Sequence, residues 1–461
     1  LRILTVIFIV FLAIFNYTNR AILVPNSKFI LMDLIGMSVG EAESKSRLIT
    51  NLHTIFKLSA AAFTIFYGYL NDKYPRKWIL ALGGIGYSLG SIGTYFVGTY
   101  NGLIGLQIIT AICIGASLPT SYSILSDMYP VANRSKVFGI FGLSTIFGDI
   151  LGNLMVTLLF PADITNLSAW RLPFLICGML SLMLAILILL TAKEPKRGQM
   201  EENLKQVLSE ESIEYSYRIQ IDDLKQVWKN KSNRWLILNF VDNMSGGYIL
   251  ATAVDWLRTE RNASPDVAGY LVLIPAIGIM LGTVFWGYMG DKLYQKDKRG
   301  RVGVCIICMI MSAILLPLAV TRPFDLNGMD FGQVLSDTAF WIAFAIFFVF
   351  FFFNNGIGPN WHSTLIDANP VEIRGSMISV ATFFEEVGEA LGIVIGGIIH
   401  DLLIINGSSS AFETTYAILT VFMALGIFMW IPLFKNIKKD IKHVKELNKK
   451  RAQELKSGEK P

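Results

Sequence analysis

The sequence predicts an all-α polytopic membrane protein, with twelve transmembrane helices arranged as two pseudo-symmetric six-helix bundles. Three observations predict it. The 461 residues are 53% hydrophobic and only 16% charged, with a mean hydropathy of +0.51, where a water-soluble protein carries about a quarter charged residues. Apolar runs of about 20 residues, long enough to cross a hydrocarbon core, recur along the whole chain. The second half also repeats motifs of the first at a fixed spacing.

Hydropathy and length place spans at 3–30, 47–70, 78–98, 102–127, 136–160, 171–192, 233–256, 266–290, 302–320, 339–365, 374–400 and 411–435. These runs are too uniformly apolar for barrel strands, which alternate over about ten residues. The first contains Asn16 to Arg20 and no small-residue cleavage site, so it reads as a span rather than a signal peptide. The polar stretch Lys193 to Lys231, with "KEPKRG" and the acidic "SEESIEY", divides the spans six and six. The predicted units are an N-terminal bundle over 1–192, a linker over 193–232, a C-terminal bundle over 233–435 and a basic tail over 436–461.

Orientation follows from the loops. Lys73, Arg76 and Lys77 follow span two, Arg134 and Lys136 follow span four, and Lys292 through Arg301 follow span eight. Loops such as "GTYNG" and "DLLIINGSSSAFET" on the other side carry few basic residues, although the sequons at Asn166 and Asn406 fall there. The positive-inside rule therefore predicts a multi-pass cell-membrane protein with both termini cytoplasmic. The net charge of +5 is explained by those loops, so it does not point to a nucleic-acid partner. The tail "KNIKKDIKHVKELNKKR" reads as a solvated helix, with contact to anionic lipid as the alternative. Cys113, Cys177, Cys305 and Cys308 all lie in apolar segments, so the Cys305–Cys308 CxxC is weak evidence for a metal or redox site. No cofactor or metal is expected.

The repeat is explicit. A constant shift of 240 (389 − 149) carries "SDMYPVANRSKVFGIFGLSTIFGDILG" onto "IDANPVEIRGSMISVATFFEEVGEALG". It pairs Asp127 with Asp367, Pro130 with Pro370, Arg134 with Arg374, Gly148 with Gly388, Asp149 with Glu389, and Gly152 with Gly392. "GYLNDK" at Gly68 likewise matches "GYMGDK" at Gly287.

Parallel six-span repeats resemble the major facilitator superfamily. "GYLNDKYPRK" (Gly68 to Lys77) resembles the signature loop of that family, and "GYMGDKLYQKDKRGR" resembles its second-half copy. The resemblance implies a gate built from Gly68, Asp72, Arg76, Arg134, Gly287, Asp291 and Arg374. Its glycines allow close helix approach, and its carboxylates cap a neighbouring helix or pair with Arg134 or Arg374. "NYTNR" (Asn16 to Arg20), "GPN" (Gly358 to Asn360), "NPVEIRG" and "GEALG" resemble the Spinster-like lipid transporters. Asn19 replaces the acid of the first of those elements, and Gln107 and Ile114 stand where the family has Arg and Glu in span four. A proton step built on those residues does not carry over.

Ionisable groups inside a membrane cost about 2.5–3.5 kcal/mol on insertion scales and are functional candidates by default. Arg20 lies about five turns into span one, and Lys57 lies about 16 Å from the cytoplasmic end of span two. Both are candidates for holding an anionic group. Asp242 in span seven, and the aromatics Tyr17, Tyr122 and Trp361 beside polar positions, are the remaining substrate-binding candidates. Glu385, Glu386 and Glu389 crowd one apolar helix, with Glu385 and Glu389 on one face and Glu386 about 100° away. Three such carboxylates cannot all stay ionised without cost, so together with Asp149 they are the proton-coupling candidates. His53 and His362 read as packed histidines, with a relay role as the alternative.

The resemblance implies a secondary transporter working by alternating access, with a monomer expected. Its mixed charges suit a small amphipathic organic anion or zwitterion, with a lysolipid indicated by the Spinster-like motifs and protons as the coupling ion. A proton-coupled multidrug exporter, an uncoupled facilitator and a non-transporting receptor on the same fold stay open. The exporter's usual Gly-Pro element in span five is absent, because Asp149 follows Gly148. No GxxxxGK[ST] element points to an enzyme.

Overall fold

The computed structural model describes residues 2–45, 47–159, 167–210, 213, 215, 217–219, 228, 230–271 and 274–457. Among the described residues the regular structure is helical. The first half contains α1 (Arg2–Leu23), α2 (Arg47–Lys73), α3 (Arg76–Tyr95), α4 (Tyr100–Ile114), α5 (Ser117–Met128), α6 (Arg134–Leu159) and α7 (Leu172–Thr191). The second contains α8 (Lys231–Leu238), α9 (Asn243–Thr259), α10 (Ile274–Lys296), α11 (Gly300–Val320), α12 (Thr338–Asn354), α13 (Ile357–Asp367), α14 (Arg374–Ile405) and α15 (Ala411–Ser457).

Nine helical stretches of the described residues are long and apolar enough to cross a membrane. Three further predicted spans do not reach that apolarity. The first is α2, which carries Lys57, Asp72 and Lys73; the second is α3, rich in Gly and Ser; the third is the α8–α9 pair, interrupted at Asn239–Val241. Span one ends earlier than hydropathy predicts. Pro25 follows the last turn of α1, and the chain restarts as a separate helix at Ser27–Ile35, because proline cannot supply the amide that a continuing helix needs.

The repeat is visible in the backbone. The span-four unit breaks at Gly115–Ala116 between α4 and α5, and the span-ten unit breaks 240 residues later at Asn355–Gly356 between α12 and α13. Short 3₁₀ turns at Val131–Asn133 and Val371–Ile373 lead into α6 and α14 in the same register. Within the first half, α1 packs on α6 and α7, and α3 packs on α4 and α7. Within the second, α9 packs on α14, and α11 packs on α12 and α15. The halves meet where α2 lies along α14 and where α6 lies along α10 and α13.

The glycine elements make the same contact in both halves. A Cβ on Gly148 or Gly152 would stand 2.7 Å from the Ile14 carbonyl oxygen or 2.8 Å from that of Thr18, so α6 lies directly against α1. Gly388 and Gly392 bring α14 equally close to the backbone of Phe240 and Met244. Small residues let helix backbones approach where lipid supplies no hydrophobic drive.

The basic tail is packed along one face rather than freely solvated. It continues span twelve as the single helix α15, and Ile437, Ile441, Val444 and Ala452 are buried along one face. Leu204, Val207, Leu208 and Tyr215 of the linker pack against its end, together with Val371.

Candidate functional site

On the face that carries the linker, the two halves are locked by a pair of exchanged caps. Asp72, at the end of α2, accepts hydrogen bonds from the backbone amides of Gly375 (2.8 Å) and Ser376 (2.6 Å) at the start of α14. Asp291 of α10 accepts from the amides of Ser135 (3.1 Å) and Lys136 (2.8 Å) at the start of α6. Residues 135 and 136 shifted by 240 are 375 and 376, so each half caps the same helix of the other. A carboxylate on the open amides of a helix start gains both hydrogen bonds and the favourable end of the dipole, about 0.5–2 kcal/mol per cap. Gly68 and Gly287 make room for this: a Cβ on Gly68 would meet the Gly375 carbonyl oxygen at 2.8 Å, and one on Gly287 that of Ser135 at 2.7 Å.

Four buried guanidiniums surround the caps. Arg76 pairs with Asp127 (2.5 Å) of the first half and with Glu194 of the linker (2.8 Å), so its ion pairs do not reach the second half. Arg134 crosses to Asp367 (2.5 Å). Arg301 pairs with the same Asp367 (2.5 Å) and with Asp291 (2.7 Å). Arg374 donates to the Ile366 carbonyl oxygen (3.1 Å). Glu201 of the linker lies between Arg134 (2.7 Å) and Arg374 (2.8 Å), the two arginines related by the repeat. Burial pushes the Glu201 carboxyl up, but Arg374 and Arg134 outweigh it and hold the carboxyl at about 2. The linker is threaded further by Gly198, whose amide donates to Asp127 (3.0 Å), and by Arg197, which donates to the Tyr74 carbonyl oxygen (2.8 Å).

On the opposite face, the polar links described join elements of one half. Asp33 holds Trp170 (2.9 Å) and Arg171 (2.5 Å), Glu260 caps α15 at Phe412 (2.6 Å), and Arg261 pairs with Glu413 (2.7 Å).

Between the faces lies a cluster of charge. Lys57 of α2 donates to Glu389 of α14 and stands 3.7 Å from Glu386, tying the halves together midway along both helices. One lysine reaches two positions three apart on α14, because Glu386, about 100° from Glu385, is only about 60° from Glu389 and so its neighbour on the helix surface. Arg20 lies within electrostatic reach of Glu386, Glu389 and Asp149 yet makes no hydrogen bond or ion pair among the described residues. Asp149 is exposed, likewise unpaired, and within reach of Arg20 and Lys57, so it faces the space between the halves. The His53 ring lies near Arg20 and Lys57 with its Nδ1 buried and unbonded. Tyr17 sits beside Arg20, and Glu385 beside Glu386 and Glu389.

Three expected substrate contacts also take part in packing, although Tyr122 stays within electrostatic reach of Tyr17 and Glu385, and Asp242 within reach of Glu385. Asp242 accepts a hydrogen bond from Asn239 (2.7 Å), and its Cβ lies on Gly426 of α15, inside the second half. Trp361 donates its indole N–H to the Leu236 carbonyl oxygen (3.0 Å) and is spent on packing α13 to α8. Tyr122 is buried and stacks on His362 across the halves, with ring centroids 4.1 Å apart. His362 bonds the Gly358 carbonyl oxygen through Nδ1 (2.9 Å), as a packed histidine does. Asn19 is likewise turned into the first half, onto Ser91 (2.5 Å).

The family model described as the Major Facilitator Superfamily matches residues 9–241 and again 235–458. The chain belongs to the major facilitator superfamily. It is a multi-pass membrane transporter of small molecules, as its helices and relatives require. The hexuronate transporter of Bacillus subtilis (strain 168) is 22% identical over 443 residues, 93% of this chain and 94% of that protein. Protein spinster of Drosophila melanogaster is 25% identical over 279 residues, 58% of this chain and 43% of that protein. The solved structure of the proton:xylose symporter XylE bound to 6-bromo-6-deoxy-D-glucose superposes with a TM-score of 0.70 at 15% identity, covering 96% of this chain and 98% of that one.

Two charged residues of the linker-face network were not singled out from sequence. Arg301 does in the second half what Arg76 does in the first, pairing with Asp367 as Arg76 pairs with Asp127. It was hidden because it stands fourteen residues after Gly287 (301 − 287), whereas Arg76 stands eight after Gly68 (76 − 68). Glu201 lay in a polar linker that reads as solvated, and only the duplicated arginines on either side of it gave a signal.

Proposed function

We propose that the protein carries a small amphipathic organic anion or zwitterion across the cell membrane by alternating access, coupled to protons. The linker face is taken as cytoplasmic, with both termini there, so the closed gate describes a carrier shut inward and open outward. Residues 1–192 and 233–435 are the two rocking bundles, joined by 193–232.

The observation that carries this reading is Arg20 beside Asp149, both without an ion pair among the described residues, next to the Lys57–Glu389 tie between the halves. An unpaired guanidinium inside a membrane is expensive and presents five donors to a planar anion. Asp149 adds an acceptor for a cationic or hydroxyl group. A substrate anion on Arg20 that draws Lys57 away leaves Glu389 free to take up a proton, which joins substrate binding to proton binding. The name of the hexuronate transporter, an anion carrier, and that of the proton:xylose symporter support the substrate charge and the coupling ion. Similarity to protein spinster keeps lysolipids among the candidates.

The test uses proteoliposomes with an inward-acid pH gradient, labelled lysophospholipid and a panel of organic anions. Wild-type flux should follow the gradient, Glu389→Gln should remove that dependence, and Arg20→Ala should abolish uptake of anions. Flux that ignores the gradient and survives Glu389→Gln would make the protein a facilitator with carboxylates used only in packing.

A further inference from the structure

At its linker-face end the first half leaves an apolar groove of about 310 Å³ between α1, α5 and α6. That volume lies at the lower end of the range for ligand pockets, about 300–1,000 Å³. Val6 and Val10 of α1 form one wall; Leu125 of α5 and Val137, Ile140 and Phe141 of α6 form the other. The packing of α6 explains the gap. Gly148 and Gly152 draw α6 onto α1 at Ile14–Ala21, while nearer its start Gly139 draws it onto Thr283 of α10, so α1 and α6 part below the first contact.

The groove has a polar rim. Asn133 and Lys136 are exposed there, and the Lys136 ammonium has no ion pair among the described residues. Both α1 and α6 belong to stretches apolar enough to cross a membrane, so hydrocarbon, not water, is the medium beside them. An apolar slot ending in a lone cation at the membrane surface complements a chain that ends in an anion. We propose that this groove binds an anionic phospholipid of the surrounding bilayer, with an acyl chain between α1 and α6 and its phosphate on Lys136. The site touches the gate, because the Lys136 amide is one of the two that Asp291 caps. It is separate from the central charges and does not depend on which substrate they carry.

Native mass spectrometry of the full-length protein, titrated with phosphatidylglycerol or with phosphatidylcholine of the same chains, tests the assignment. Wild type should bind one phosphatidylglycerol more tightly than phosphatidylcholine. Lys136→Gln should weaken phosphatidylglycerol about fivefold, the effect of one lysine near an anionic headgroup, and leave phosphatidylcholine unchanged. Val10→Trp, which fills the slot, should weaken both lipids. Equal binding of the two lipids to wild type, or a Lys136→Gln variant that keeps the preference, would overturn the proposal. The exposed Lys136→Gln substitution decides the matter even if Val10→Trp fails to fold.

Discussion

Replacing Glu201 with Gln should open the gate on the linker face. The Glu201 carboxylate is almost fully enclosed and stands 2.7 Å from Arg134 and 2.8 Å from Arg374. Its fall from the ordinary 4.5 to about 2 corresponds to about 3 kcal/mol of preference for the ionised form in the closed gate. The amide of Gln keeps the size and loses the charge. Arg134 retains Asp367, but Arg374 is left with the Ile366 carbonyl oxygen and an aspartate at 4.0 Å. Losing one partner of a buried pair costs about 3–5 kcal/mol, so both routes give a similar figure. At about 1.4 kcal/mol per tenfold, the closed-to-open ratio should drop by roughly a hundredfold. Spin labels at the exposed Lys73 and Lys292, one in each half, would report it as a longer distance population in electron–electron resonance. An unchanged distance distribution in Glu201→Gln, whatever its melting temperature, would refute the gating role of the linker. The pH dependence has a definite sign. Because the carboxyl is held below its ordinary value, its stabilisation is complete above about 4.5 and is lost as pH falls from there towards about 2. Glu201 therefore leaves the closed population constant between pH 5 and 8, and a pH response of transport in that window has to come from other groups.

Three further outcomes are expected. Asp72→Asn should weaken the gate by about 1 kcal/mol, one helix cap, and Asp291→Asn by more, because it also takes a partner at 2.7 Å from the buried Arg301; a larger shift of the labelled pair in Asp72→Asn than in Asp291→Asn would break this description. Gly392→Val should destabilise the protein by about 1–3 kcal/mol in thermal unfolding, since its Cβ would press directly on the Met244 carbonyl group. Gly397→Ala on the same helix, with no atom within 4 Å of the new carbon, should be neutral or slightly stabilising. Asp242→Asn should leave the gradient dependence of flux in proteoliposomes unchanged, because Asp242 faces Asn239 and Gly426; loss of coupling would return it to the transport site.

Much of this was legible in the sequence because duplication leaves a register. The shift of 240 located the two glycine–acid elements, and the structure gives their glycines one job: drawing α6 onto α1 and α14 onto α9 and the turn before it. The motif loops likewise predicted carboxylates at helix starts, though not that each would cap the opposite half. What stayed hidden depends on which neighbour a face meets. Periodicity places Trp361 and Asp242 on faces of their helices, but a buried tryptophan N–H needs an acceptor, and the Leu236 carbonyl oxygen was the one at hand. Glu201 is buried only because two arginines, 240 residues apart, close over it. A charge run in a linker carries no trace of that until the halves are assembled.

The symmetry of the gate contrasts with the centre. Each half contributes one cap, one glycine and one arginine–aspartate pair to the linker face. In the central cluster both cations, Arg20 and Lys57, come from the first half, and the second half adds only carboxylates from α14. Helices α2 and α14 are consequently tied at two points, at Asp72 and at Lys57, fifteen residues apart (72 − 57) and so about 22 Å along the helix. Two ties at that separation resist rotation of one half on the other, whereas a single tie acts as a hinge. A ligand or proton that separates Lys57 from Glu389 therefore changes the mechanics of the whole carrier, leaving closure to the gate alone. On the proposed reading, the asymmetric centre would select what is carried and, through this one lysine, would also set when the symmetric gate is free to move.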